Sequence, residues 1–115
     1  KASFGLTGRD ALMTMASTYR RFAFDQPGLY TLTVIAPDAQ DEELTELAQE
    51  WLQTLLLIMA SLNLHGQDAL HAIRGFRALL HGFISLEALG GFKMALDRDQ
   101  SFELLLNTYL DGLGK

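Results

Sequence analysis

Cysteine is absent from the 115 residues, which removes disulfides, thiolate metal ligands and cysteine nucleophiles together. Lysine and arginine are missing between Phe22 and Ile73, although acids are not, and the formal net charge is -5. Affinity for nucleic acid rests on neutralising phosphates with basic side chains, so the chain by itself is a poor DNA or RNA binder. The longest apolar run, Leu55 to Ala60, falls far short of the ~20 residues that span a bilayer. No signal-peptide pattern opens the sequence. These absences fit a cytoplasmic protein with no membrane partner. A single domain of this length buries roughly 65% of the surface of its unfolded chain, enough for a core without staples.

Catalytic signatures are missing too. Neither the Glu-x-x-His pairs of di-iron bundles nor the His-Glu-x-x-His of zinc proteases occurs. His71 and His81 lie ten residues apart and point about 80° away from each other on a helix. Gly90-Gly91-Phe92 has neither the lysine nor the preceding strand of a phosphate loop. No catalytic residue, metal or cofactor is expected. Ser85 has His81 one turn before it, but a helical serine normally bonds a backbone carbonyl. His81 reads as a hydrogen-bonding residue at a helix contact, or else as a ligand contact. Glu87 falls on the bulky side of its helix, where a carboxylate needs a cation; Lys93, Arg74 and Arg77 are the candidates.

What is present is helical periodicity. Thr7 and Asp10 mark a helix start, and Leu12, Met15, Ala16, Tyr19, Phe22 and Ala23 share one sector as far as Asp25. Pro27 stops that helix and suits the first turn of a short second one ending near Val34; the run Thr31 to Ile35 is the one stretch that also reads as a strand. Ala36 to Asp41 is turn chemistry. Leu44, Leu47, Trp51, Leu55, Ile58 and Leu62 then hold one stripe for five turns, and Leu52, Leu56, Leu57 and Met59 widen it until its second half must be buried. Gly66 suits the left-handed position after this helix. The fourth helix, Gln67 to Leu89, has a bulky face of Ile73, Phe76, Leu80 and Ile84 and a bare stripe of Gly75, Ala78, Gly82 and Ser85. Glycine costs about 1 kcal/mol inside a helix, so two on one stripe imply a second helix packed close. Asp97 or Asp99 caps a last helix whose sector holds Phe102, Leu105, Leu106, Tyr109, Leu110 and Leu113, before Asp111 to Lys115 frays. The large adaptable side chains Met13, Met15, Tyr19, Phe22, Phe24, Trp51, Met59 and Phe76 read either as core or as the lining of an apolar pocket.

The segment Asp68 to Gly112, with Arg74-Gly75-Phe76-Arg77-Ala78-Leu79-Leu80-His81-Gly82-Phe83-Ile84-Ser85-Leu86-Glu87 at its centre, resembles the C-terminal domain of TetR-type transcriptional regulators. Within them it is similar to the subgroup named for a Trp-His-Gly signature, although Phe76-Arg77 stands where a tryptophan would precede His81-Gly82. Arg20 to Tyr30 resembles an earlier helix and turn of the same family. The resemblance implies an all-α fold of five helices over residues 1–115, with the helix-turn-helix domain absent from this chain. It implies a homodimer whose last two helices form a four-helix interface through Gly75, Ala78, Gly82, Ser85, Phe102, Leu105, Leu106 and Tyr109. It further implies a cavity for a small, largely apolar effector among Tyr19, Phe22, Trp51, Leu55, Met59, Phe76 and Leu80, and DNA binding, most often as a repressor, only through the missing domain. The alternatives are a helical homodimeric interaction module without a ligand, and an enzyme using a buried Glu or His.

Overall fold

A computed structural model of the chain describes residues 8–34 and 42–113. The expected Thr7 cap, the Ala36 to Asp41 turn and the last two residues lie outside the described residues. Five helices follow one another: α1 Gly8–Asp25, α2 Pro27–Val34, α3 Glu42–Ser61, α4 Gly66–Ala88 and α5 Arg98–Leu113. The expected all-α architecture is the one found. Thr31 to Val34 is helix rather than strand, and the Thr31 hydroxyl bonds the Pro27 carbonyl one turn back at 3.1 Å.

The breaks between helices have local causes. Pro27 has no N–H to continue the α1 ladder, yet the Gln26 amide still bonds the Phe22 carbonyl and the Tyr30 amide bonds Gln26. α2 therefore restarts after one residue. At the end of α3 the left-handed residue is Asn63 (φ 65°), not Gly66 as expected. The Leu64 amide reaches back to the Met59 carbonyl and the Asn63 amide to Ala60, the paired bonds of a Schellman close. Gly66 instead opens α4, itself at φ 58°. The same close recurs after α4, with Gly90 at φ 74° and Gly91 bonded back to Leu86. Asp97 is the cap of α5: its carboxylate accepts the Asp99 amide at 2.9 Å.

α4 is the central helix. Its buried face, Ala69, Ala72, Ile73, Phe76, Leu80, Phe83 and Ile84, meets Leu12 and Ala16 of α1, Leu55, Ile58 and Met59 of α3, and Phe102, Leu106 and Leu110 of α5 in one cluster. Leu57, expected inside, is 74% exposed, so the second half of α3 is not buried all round. The α1–α5 seam is polar at its end: Arg9 bonds Asn107 at 2.8 Å and pairs with Asp111 at 2.8 Å.

The bare stripe of α4 splits. Gly75 is covered by the chain's own α5: Tyr109 lies over it and donates its hydroxyl to the Ala72 carbonyl at 2.6 Å. A Cβ at Gly75 would stand 2.6 Å from that hydroxyl oxygen. Gly75→Ala gains about 1 kcal/mol of helix propensity but must displace Tyr109, losing a hydrogen bond worth about 1 kcal/mol and adding a clash of 1 kcal/mol or more. The net expectation is a loss of about 1 kcal/mol in urea denaturation, reversed in a Tyr109→Phe background; an unchanged midpoint contradicts this packing. At Gly82, by contrast, a Cβ meets nothing within 4 Å.

Candidate functional site

Four rings from four helices touch in sequence. Trp51 of α3 lies with its centroid 5.8 Å from Tyr19 of α1, Tyr19 meets Tyr30 of α2 edge-on at 5.4 Å, and Tyr30 stacks on His81 of α4 at 5.9 Å. The one-residue restart at Pro27 is what turns Tyr30 back against α1. Its hydroxyl lies 2.6 Å from His81 Nδ1, the phenol donating when that nitrogen is unprotonated. His81 thus makes the helix-contact hydrogen bond expected of it. Burial, with Tyr19 as a lesser influence, pushes the Tyr30 phenol up to about 12.

Ser85 Oγ sits 3.4 Å from His81 Nδ1 and 3.3 Å from Nε2. Near-equal distances put it beside the ring and off both nitrogen axes, which is not the alignment of a base with its nucleophile.

Raising the acid strength threshold of Tyr30 has a measurable consequence. An unfolded phenol ionises near 10 and the folded one near 12. Below about pH 10 both states hold the proton; between about 10 and 12 the unfolded chain loses it first, so stability falls as pH rises. Burial pushes Tyr109 in the same direction. Urea midpoints should therefore drop across that window, less steeply in Tyr30→Phe. A midpoint that is flat there contradicts the burial of both phenols.

The residues expected around an effector separate into two groups. Tyr19 and Phe22 are half-buried and Trp51 is 48% exposed. Leu55, Met59, Phe76 and Leu80 are sealed in the core, Met59 and Phe76 at 0% and 1%. The second group is packed core; of the first, Tyr19 and Trp51 join Tyr30 and His81 in the ring chain. The periodicity of the sequence does not mark Tyr30, because a helix as short as α2 carries too few turns to reveal its face. The signal was there in Pro27, which fixes where α2 begins.

Charge is concentrated elsewhere. The Arg20 guanidinium of α1 grips Glu87 of α4 with two bonds, Nε to Oε1 at 3.0 Å and Nη2 to Oε2 at 2.6 Å, and reaches Asp99 of α5 at 2.8 Å. It also lies over the Phe83 and Phe102 rings, 5.3 and 4.8 Å from their centroids. The bond to Glu87 is the main influence holding the Arg20 pKa above its ordinary value. Glu87 is therefore paired, but with Arg20 and more distantly Arg98 at 3.7 Å, rather than with Lys93, Arg74 or Arg77. Both Glu87 oxygens are committed to this three-helix latch. Among the described residues no group of three or more acidic or histidine side chains could hold a metal, and no helix is long and apolar enough to cross a membrane.

The expected interface residues also divide. Phe102 and Leu106, 4% and 1% exposed, are spent on the chain's own core because the Phe102, Leu106, Leu110 side of α5 faces α4, and Gly75 and Tyr109 pack on each other. Neither pair faces outward. On the outer surface remain Ala78, Gly82 and Ser85 of α4 and, on α5, Leu105 at the edge with Leu104 beside it.

The family of tetracyclin repressor-like C-terminal domains matches this chain over residues 12–109. The chain belongs to that family. Among curated relatives, this TetR-type domain is 31% identical over 108 residues to the uncharacterized HTH-type transcriptional regulator YobS of Bacillus subtilis, covering 92% of this chain and 55% of that protein. It is 33% identical over 82 residues to the uncharacterized HTH-type transcriptional regulator Rv0681 of Mycobacterium tuberculosis, covering 70% of this chain and 38% of that protein. The TetR-type domain thus spans about half or less of the length of the relatives it matches.

Proposed function

We propose that this domain senses a small, largely apolar effector and transmits its binding through a homodimer to a helix-turn-helix domain elsewhere in the whole protein. That domain makes the DNA contacts, and the regulator is a cytoplasmic repressor rather than an enzyme. Its place in the Trp-His-Gly-type subgroup rests on His81-Gly82 and the residues around them. The observation that carries the effector reading is Trp51: it stands on the same helical stripe as Leu55 and Ile58, yet half of it is open, beside the Tyr19–Tyr30–His81 rings. An apolar stripe that runs out of the core to a half-open aromatic ring gives a ligand an apolar surface to dock on.

The homodimer reading is supported by the outer surface of α4 and α5, where Gly82 lets a second backbone approach closely. Effector binding acts by population shift: it favours one arrangement of the two subunits only to the extent that it binds that arrangement better. The Arg20 latch joins the ring-bearing α1 to α4 and α5. The test is a thermal-shift scan of uncharged and charged apolar compounds. A bound effector raises the melting temperature progressively with its concentration. Melting temperatures flat across the whole set, with the dimer intact, would favour the ligand-free interaction module.

A further inference from the structure

Tyr19 of the ring chain and Arg20 of the latch are consecutive residues of α1. One rigid helix therefore bears both, and a displacement of Tyr19 moves the guanidinium with it. We propose that Arg20 couples the two ends of this arrangement: gripping α4 and α5 at once, it fixes their splay and passes changes between the Trp51–Tyr19–Tyr30–His81 rings and the face on which a second copy docks. The proposal rests on the homodimer reading above. It needs no effector for its test.

Among the described residues Arg20 is the only cation paired with acids on two other helices, Glu87 at 2.6 Å and Asp99 at 2.8 Å. Between those acids the guanidinium lies over Phe83 and Phe102, which meet across α4 and α5 with centroids 4.9 Å apart. Both rings are buried. Phe83 directly follows Gly82, and Phe102 stands three residues before Leu105, so the grip closes on the inner side of the helix segments whose outer sides form the proposed dimer face. A planar fork holding a carboxylate with two parallel bonds is either engaged or released, which gives the coupling two discrete states. Arg9 also ties α1 to α5, but its partners Asn107 and Asp111 both lie near the other end of that helix, on α5 alone. Coupling free energies are reciprocal. Association of two copies must therefore shift the ring chain as much as the ring chain shifts association.

Trp51 is the sole tryptophan, so its emission reports the ring chain and nothing else. The domain is diluted through its dimer dissociation and followed in parallel by sedimentation equilibrium and by Trp51 emission. In the parent the emission should change with a midpoint matching the sedimentation curve. Arg20→Met should dimerise about tenfold more weakly, Asp99→Ala by a smaller factor, and in both the emission should lose most of its change. Asp99 is 83% exposed, so its variant keeps the fold and carries the test even where Arg20→Met does not. Arg98→Met should behave as the parent. A merely loosened fold would weaken association but leave Trp51 following it. Emission that stays flat in the parent while the dimer dissociates overturns the coupling and spares the homodimer. Emission that still follows dissociation fully in both latch variants overturns Arg20 as the connection and places it at the Tyr30–His81 contact or at a copy seated on Trp51 itself. A parent that is monomeric at every concentration overturns the homodimer reading and the coupling with it.

Discussion

Arg20→Met is expected to lower the stability of the domain by about 2 kcal/mol. Removing one member of a buried ion pair costs roughly 3–5 kcal/mol because the other is left unpaired. Here the Arg20 and Glu87 side chains keep about a fifth of their exposure, 20% and 18%, so water repays part of that loss. Methionine retains the apolar stem against Phe83 and Phe102, which confines the effect to the charge and its hydrogen bonds. For a domain of this size the melting temperature should fall by roughly 8 °C. Arg98→Met is the control: its guanidinium is 3.7 Å from Glu87 and 55% exposed, and exposed pairs contribute about 0–1 kcal/mol. A double-mutant cycle of Arg20→Met with Glu87→Gln should show strong coupling. If Arg20→Met melts within a degree or two of the parent, the three helices are not held by this latch.

The second large effect concerns assembly. Gly82→Leu should leave the single chain folded, since a Cβ there meets nothing of its own protomer within 4 Å and leucine is the better helix former by about 1 kcal/mol. In a two-fold dimer the substitution enters the interface twice. With overpacking at about 1–3 kcal/mol for each copy, the dimer dissociation constant should rise roughly thirtyfold or more. Sedimentation equilibrium should then find the parent as a dimer and the variant as a folded monomer. A variant that keeps the parent's mass places the contact elsewhere.

Much of the fold could be read from the residues because its causes are local. Pro27, the Gly90-Gly91 pair and Asp97 each act within a few residues of themselves, and the stripes of α1, α3 and α4 repeat often enough to fix a face. What periodicity leaves open is which neighbour covers that face. Phe102 and Leu106 share one apolar side of α5, but that side belongs to the protomer's own core beside α4. Glu87 was correctly assigned a partner, but Arg20 lies 67 residues away in sequence and no helical spacing points to it. Trp51 shows the same limit in reverse: its stripe continues the core, yet the elements above it leave the ring half open.

The aromatic chain as the effector site is tested most directly by the indole N–H resonance of Trp51, followed by NMR during titration with a compound that raises the melting temperature. The indole signal should move saturably, with a midpoint matching the thermal shift. A compound that stabilises the domain while that resonance stays in place binds somewhere else, and the Trp51–Tyr19–Tyr30–His81 rings would not be where the effector is received.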